Sequence, residues 1–192
     1  MLKRYSLERL LGKRTLIIGD LGSGKTLLTA NLLEQAIDMG YRHQITAIDM
    51  APPTMQFQDV RAGGALAEVT KAVLEVRYLR SEEIKAPRIM AKNAEELKRL
   101  VEFNKRTIDR MLTEFLLKPT PFLFINDVSI YLQAGETEKI IEAIRKSKTF
   151  IANGYFGKRL GEDFGTGVSK MERVLMRKLM REMNEVIALR KS

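Results

Sequence analysis

The sequence predicts an α/β fold: a three-layer αβα sandwich in which a mostly parallel sheet is covered by helices on both faces. Short apolar runs typical of buried strands alternate with helix-length amphipathic segments, and this alternation favours parallel strands joined by crossover helices. A glycine-rich turn connects the first strand-like run to the first helix-like one. The length of 192 residues suits one compact core, so we expect residues 1–192 to form a single domain.

The first third of the chain contains two predicted strands and the helix between them. A short amphipathic segment at residues 7–11 leads into a strand at 15–18. A helix at 27–39 follows, and Gly40 is the kind of residue with which many helices end. A second buried strand at 44–49 is then ended by two prolines.

The remaining elements continue the same alternation. Residues 54–70 have no clear pattern, and we predict only a turn at 61–65 followed by a helix. Asn93 and Glu96 have the spacing of a capping box, which predicts the start of a long helix. The predicted elements after residue 70 are a strand at 74–79, a helix at 94–117, a strand at 122–127, a helix at 137–146, a strand at 149–153, a glycine-rich loop at 154–167, a helix at 169–183 and a strand at 185–189.

The composition limits the chemistry that the chain can perform. The absence of cysteine excludes disulfides and thiolate metal sites, and the single histidine has no second histidine to share a metal with. No apolar run is long enough to cross a membrane or to form a signal-peptide core, so we expect a cytoplasmic protein. The net charge of +9 is compatible with a nucleic acid or protein partner, or with well-solvated charged faces. The basic excess is spread along the chain and includes two clusters: Lys3, Arg4, Arg9, Lys13 and Arg14, and Lys158, Arg159, Lys170, Arg173, Arg177, Lys178 and Arg181.

Residues 19–26 read GDLGSGKT, which is the pattern G-x-x-x-x-G-K-[ST] of a phosphate-binding loop. Its three glycines allow backbone conformations in which successive N–H groups point at an anion. Lys25 places a positive charge near the β- and γ-phosphates, and the Thr26 hydroxyl is suited to ligate Mg²⁺. The helix that follows directs its positive N-terminal end at the same phosphates.

On this motif the chain resembles the P-loop NTPase superfamily. The resemblance implies an α/β fold that binds a nucleoside triphosphate, for which we expect ATP, together with Mg²⁺. Such a site also needs a carboxylate near the metal at the end of a neighbouring strand, and Asp127 ends the apolar run 122–127. Two registers are open: Asp127 is the metal-side residue, or Asn126 occupies that position and Asp127 is the base. The sequence Asp-Val-Ser after an apolar run favours the first register.

The order of elements is most similar to the RecA-like ATPase branch of that superfamily. This resemblance implies that Asp49, at the end of the second strand, activates the attacking water. It also implies that Asn153 senses the γ-phosphate and passes its state to the loop 154–167. Asp49 is shorter than the glutamate expected at that position, so hydrolysis could be slow or absent. Gly154 and Phe156 replace the lysine and aspartate of a guanine-reading motif, so nothing supports selectivity for guanine.

Two classes of function follow from these expectations. The first is a RecA-like ATPase or ATP-dependent switch that acts on a macromolecular partner. Such a protein could work as a homo-oligomer. The alternative is a small-molecule kinase or nucleotidyl or adenosyl transferase that uses ATP. The catalytic residues expected are Lys25, Asp49 and Asp127, and the metal ligands are Thr26 and Asp127. The residues expected to contact the nucleotide are Gly19, Asp20, Leu21, Gly22, Ser23, Gly24, Lys25, Thr26, Leu27 and Asn153.

Overall fold

A computed structural model describes residues 5–190 of the chain. Within that range, strands and helices alternate along most of the chain as the sequence predicts. The strands are β1 (Arg14–Gly19), β2 (Ile45–Asp49), β3 (Met55–Phe57), β4 (Val60–Ala62), β5 (Arg77–Arg80), β6 (Phe122–Asn126), β7 (Thr149–Tyr155) and β8 (Glu185–Leu189). The α-helices are α1 (Lys25–Asp38), α2 (Pro87–Met90), α3 (Ala94–Leu117), α4 (Ser129–Leu132), α5 (Glu138–Lys146) and α6 (Val168–Arg181).

Six of these strands form one sheet in the order β5-β2-β6-β7-β1-β8. Every neighbouring pair is parallel, which confirms the predicted parallel α/β fold. Because parallel strands end at the same edge, the residues that end β1, β2, β6 and β7 lie along one edge of the sheet. Strand β7 separates β1 from β6, so its C-terminal residues lie between the glycine-rich turn and Asp127.

Side chains alternate between the two faces of the sheet and build a core on each. On one face Ile17, Phe124 and Ile151 pack with buried residues of α1. On the other face Leu16 and Ile125 pack with buried residues of α3, α5 and α6. Strands with apolar residues on both faces are typical of a sheet covered on both sides, and this gives the three-layer arrangement. No helix among residues 5–190 is long and apolar enough to span a membrane.

Most predicted element bounds agree with the structure to within a few residues. Helix α3 has the predicted bounds, and the Asn93 Oδ1 atom accepts a hydrogen bond of 2.8 Å from the Glu96 N–H. The Glu96 side chain accepts from the Lys92 N–H instead of the Asn93 N–H, so one half of the predicted capping box forms. The predicted helix before β1 is a short 3₁₀-helix, Leu7–Leu10.

The helix predicted after residue 65 is only a short 3₁₀-helix, Leu66–Glu68. Three other segments differ from the prediction for reasons of tertiary packing. The strand predicted at 74–79 is a 3₁₀-helix (Ala72–Glu75) followed by β5, because Ala72 and Val73 pack into the α1 side of the core. The loop predicted from residue 154 begins after Tyr155, since Gly154 and Tyr155 continue the β7 ladder beside β1. Residues 55–62 form an antiparallel hairpin, β3–β4, that the sequence pattern did not reveal.

Candidate functional site

A cavity of about 270 Å³ lies at the carboxyl edge of the sheet, above the turn between β1 and α1. Its floor contains all seven residues from Leu21 to Leu27, together with Asp127, Asn153 and Tyr155. Its opposite wall comes from the segment after β2: Ala51, Thr54, Arg61, Gly63, Gly64, Glu68 and Val69. Gly19 and Asp20 shape the turn without lining the cavity. The sequence marks this second wall only by the glycine pair Gly63–Gly64, which predicted a turn and not a cavity wall.

The backbone of the turn has the conformations that a phosphate-binding loop needs. Gly22 and Gly24 have φ angles of 69° and 88°, the left-handed region that side chains with a Cβ rarely adopt. Gly24 directly precedes α1, whose first two residues are Lys25 and Thr26. The first N–H groups of a helix have no partner within the helix, so this end attracts an anion.

Lys25 lies inside the loop and faces Asp127 across the cavity. Its Nζ atom donates a hydrogen bond of 2.8 Å to the Asp20 carbonyl oxygen. Burial lowers the pKa of Lys25, and the charges of Asp127 and Asp20 oppose part of that shift. An anion held beside Lys25 would therefore favour its charged form.

Asp127 follows the last residue of β6 in a left-handed conformation, with a φ angle of 58°. Its carboxylate accepts a short hydrogen bond from the Ser129 hydroxyl, and its N–H donates to the Asn153 Oδ1 atom at 3.1 Å. Burial raises the pKa of Asp127, and the Ser129 hydroxyl and the Lys25 charge act against this rise. Asp127 lines the cavity, whereas the side chain of Asn126 is fully buried and bonded to other residues. This geometry favours the register in which Asp127 is the metal-side residue.

Asn126 and Asn153 belong to a buried chain of hydrogen bonds that runs across the strand ends. The Asn153 Nδ2 atom donates to the Asn126 Oδ1 atom and to the Thr29 hydroxyl of α1, each at 2.8 Å. The Asn126 Nδ2 atom donates to the Asp49 carboxylate at 2.8 Å and to the Gly64 carbonyl at 3.1 Å. Asn153 therefore connects α1 to β6, and its amide is already occupied by protein groups. If Asn153 senses the γ-phosphate, it would do so indirectly, through its hydrogen bonds to the Asp127 N–H and the Thr29 hydroxyl.

Asp49 is fully buried beneath the cavity, and both of its carboxylate oxygens are occupied. One oxygen accepts from the Ala51 N–H at 3.1 Å and from Asn126 at 2.8 Å. The other accepts from the Leu66 N–H at 2.7 Å and from the Tyr78 hydroxyl at 2.6 Å. A carboxylate has about four positions for accepting hydrogen bonds. Since all of them face protein donors, this geometry does not favour Asp49 as the residue that activates water.

Asp20 joins the phosphate-binding loop to the segment that follows β7. One carboxylate oxygen accepts from the Leu21 N–H at 2.7 Å, and the other from the Lys158 N–H at 3.2 Å. A Cβ atom at Gly157 would lie 2.3 Å from the Asp20 carboxyl carbon, so only glycine allows this approach. The Phe156 N–H also donates to the Gly19 carbonyl at 2.9 Å.

A basic groove of about 360 Å³ lies on the far side of that segment, between residues 156–161 and α6. Lys158, Lys170 and Arg173 line it. The Arg173 guanidinium lies 4.4 Å from the centre of the Phe156 ring and donates to the Gly157 carbonyl at 2.9 Å. In the other basic cluster of the sequence, Lys3 and Arg4 lie outside the described residues.

No family model matches the sequence, and none of the curated proteins compared with it matches either. Among solved structures the chain is similar to the flagellar accessory protein FlaH from Methanocaldococcus jannaschii. That likeness has a TM-score of 0.52 at 10% identity and covers 93% of this chain and 71% of FlaH. Two further structures are more distant. The DnaC helicase loader has a TM-score of 0.45 at 13% identity, and the likeness covers 98% of this chain and 84% of DnaC. The Pif1 helicase from Candida albicans has a TM-score of 0.37 at 13% identity, and the likeness covers 96% of this chain and 38% of Pif1.

These comparisons bear on the fold. At 10% identity, the likeness to FlaH shows that the two chains share an architecture and no more than that. Together with the motif at residues 19–26, it supports the P-loop NTPase fold. It does not distinguish the RecA-like branch from the others.

Proposed function

We propose that this chain binds ATP with Mg²⁺ and hydrolyses it as a RecA-like ATPase or ATP-dependent switch. The observation that carries the proposal is the single cavity in which the loop 21–27, Lys25, Thr26 and Asp127 meet. Backbone N–H groups and the Lys25 ammonium would hold the phosphates, and a helix N-terminus adds a favourable dipole. Across the cavity from Lys25, Asp127 would supply the carboxylate that the metal ion needs.

The residues of this cavity fit a magnesium ion. Mg²⁺ at phosphate-binding sites usually takes one or two protein oxygens and completes its shell with phosphate oxygens and water. The Thr26 hydroxyl and the Asp127 carboxylate supply two such oxygens on the same cavity. When bound, the ion would neutralise charge on the phosphate oxygens. Ser129 would keep the Asp127 carboxylate oriented, because its hydroxyl donates to that group.

The space directly beyond Asp127 has room for water without any rearrangement. A second cavity adjoins the first there, and its volume is about 40 Å³. Pockets that enclose a small organic molecule are typically about 300–1,000 Å³, whereas one water needs only about 30 Å³. The acceptor of a kinase or transferase would have to bind outside this small cavity, for example in the groove that shares Arg88, Tyr155 and Leu160 with it.

The switch reading rests on the contacts between the nucleotide loop and the segment after β7. Asp20 and Gly19 of the loop hold Lys158 and Phe156 through backbone N–H groups. A phosphate that repositions the loop would therefore move residues 156–158, which form one side of the basic groove. We infer that the groove is where a nucleic acid or protein partner with negative charge responds to the nucleotide.

Calorimetric titration of the protein with ATP and Mg²⁺ tests the binding site. Lys25→Ala should abolish measurable binding, because the variant leaves the β- and γ-phosphates without their nearest cation. Lys13→Ala is the control, since Lys13 is an exposed lysine at the opposite edge of the sheet, where it pairs with Glu185. Equal affinities of Lys25→Ala and the parent protein would refute the site.

The partner is tested by the rate of ATP hydrolysis with and without single-stranded DNA. Stimulation by DNA that is lost in a Lys158→Ala/Lys170→Ala double variant would support the groove as the contact surface. Lys98→Ala/Arg106→Ala, which removes two exposed positive charges from α3, is the matched control. Hydrolysis that requires a small organic acceptor, and that DNA does not change, would favour the transferase alternative.

A further inference from the structure

The small cavity behind Asp127 has a mainly apolar lining that a few polar side chains interrupt. It shares Leu21, Gly63, Asp127 and Tyr155 with the nucleotide cavity, so the two spaces adjoin at the Asp127 carboxylate. Its other polar walls are Arg88 of α2, Ser129 of α4 and Gln133, which directly follows α4. Residues far apart in the chain thus converge on one side of the proposed γ-phosphate position.

Two buried polar atoms, each in a side chain that lines this cavity, have no hydrogen-bonding partner among the described residues. They are the Gln133 Oε1 atom and the Arg88 Nε atom. Gln133 is 4% exposed, and the Arg88 side chain is 4% exposed. Buried polar atoms in native proteins are nearly always paired, with protein or with ordered water. An acceptor and a donor beside a space of about 40 Å³ therefore fit a water molecule.

The orientation of Gln133 is set by Glu172 of α6. The Gln133 Nε2 atom donates to the Glu172 carboxylate at 2.8 Å, so the amide nitrogen faces Glu172 and the oxygen is left for another donor. Arg88 holds the same carboxylate with two hydrogen bonds, of 2.9 and 2.7 Å. Arg88 is itself fixed by the Leu160 carbonyl at 2.9 Å and by the Tyr155 ring at 5.1 Å. The three side chains form a rigid frame.

We propose that this cavity holds the water that attacks ATP, and that Gln133 orients it by accepting a hydrogen bond. The proposal deepens the proposed ATPase function and rests on it. The water oxygen forms a bond to the γ-phosphorus while the bond from that phosphorus to the β–γ bridging oxygen breaks. The electron pair stays on the β-phosphate, and one proton of the water passes to a γ-phosphate oxygen. ADP and inorganic phosphate result, and Arg88 and Glu172 act as positioning residues.

This assignment replaces the role that the sequence suggested for Asp49. Asp49 faces four protein donors, whereas Gln133 has an unpaired acceptor and lines the same small cavity as Asp127. A glutamine cannot take the proton, but it can hold the nucleophile in line, as phosphoryl transfer requires. The segment 128–136 therefore contributes to the site through a residue that no motif identifies.

The test uses Gln133→Met, which keeps the length and volume of the side chain and removes both the acceptor and the hydrogen bond to Glu172. We expect the affinity for Mg²⁺ and ATP to stay within about threefold, and the single-turnover hydrolysis rate to fall about 100-fold. ADP with aluminium fluoride, a mimic of the transition state, should bind at least about tenfold more weakly, and ADP with beryllium fluoride should bind unchanged. A role in folding alone would not separate the two analogues.

Two further variants complete the experiment: Gln133→Asn as an intermediate change and Thr149→Val as a control. The asparagine keeps the amide but withdraws it from the cavity, so its rate should lie between those of the parent and the methionine variant. Thr149→Val removes a buried hydroxyl at the opposite edge of the sheet and should leave the rate unchanged. Melting temperatures of all variants establish that they fold.

The outcomes separate this inference from the proposed function. A hydrolysis rate of Gln133→Met within about threefold of the parent, or equal weakening of both analogues, overturns the role of Gln133 while ATP binding stands. Binding of ATP by the parent without any turnover also overturns it. A parent protein that fails to bind ATP and Mg²⁺ refutes the proposed function itself.

Discussion

Replacing Asp49 by asparagine distinguishes a structural carboxylate from a catalytic one. The structure favours the structural role, because each Asp49 oxygen accepts two hydrogen bonds from protein donors. We therefore expect Asp49→Asn to lower the free energy of unfolding strongly. We expect the rate of ATP hydrolysis at saturating ATP to change by less than about tenfold where the variant is folded.

The size of the stability loss follows from the geometry of the site. An asparagine has one acceptor oxygen and one NH₂ group. The NH₂ group would take the place of one carboxylate oxygen, and its hydrogens would then face the two protein donors that this oxygen accepts from. Two hydrogen bonds to a charged group are then lost, whichever way the amide turns. Each such bond contributes about 1.5–3 kcal/mol, so the expected loss is about 3–6 kcal/mol. Rotation of the Tyr78 hydroxyl to accept from the amide would bring the loss toward the lower value.

Urea unfolding followed by circular dichroism measures this loss, with single-turnover hydrolysis measured at a temperature where both proteins are folded. Asp38→Asn, an exposed aspartate at the end of α1, is the control and should unfold like the parent. The reasoning is refuted if Asp49→Asn unfolds within about 1 kcal/mol of the parent while its hydrolysis falls more than about 100-fold. That pair of results would restore Asp49 as the base.

Two further predictions concern the contacts around the site. Gly157→Ala places a Cβ atom 2.3 Å from the Asp20 carboxyl carbon, so it should uncouple residues 156–158 from the phosphate loop. Hydrogen exchange should then show no nucleotide-dependent change at 156–161 while ATP still binds; an unaltered change would contradict the coupling. Burial raises the pKa of Glu172 to about 7, above its usual value of 4.5, so the folded state holds this proton more tightly than the unfolded chain does. The stabilisation from that proton is complete below pH 4.5 and is lost as the pH rises through 7. Glu172→Gln should therefore flatten the fall in unfolding free energy over this range, and an unchanged pH profile would show that Glu172 does not titrate there.

The sequence predicted the fold where the physical signal is local. The bounds of α3 follow from its period and from Asn93, and the strands of the sheet follow from apolar runs with residues on both faces. It failed where an element is short or where packing overrides pattern. The hairpin β3–β4 has three residues in each strand, and the run 74–79 is divided because part of it packs beneath α1.

In the candidate site, too, some residues could be predicted from local sequence signals and others could not. The loop 19–26 and Asp127 are contiguous signals, since glycines, a lysine and a strand-ending acid have to occupy those positions to hold a phosphate and a metal. The second wall of the cavity has no such signal. Arg61 reaches it because the hairpin β3–β4 packs against Leu21 and Tyr155. Glu68 reaches it from the short 3₁₀-helix Leu66–Glu68.

By itself, the amino-acid sequence determined the phosphate-binding loop and the alternation that builds a parallel sheet, because both depend on residues close together in the chain. The tertiary structure decided what the acidic and amide side chains can do there. Asp49 and Asp127 look alike in sequence, each at the end of an apolar run. One meets the donors of Leu66, Tyr78 and Asn126, while the other lines the cavity beside Lys25. The chemistry open to a carboxylate depends on which donors surround it, and those donors come from distant parts of the chain.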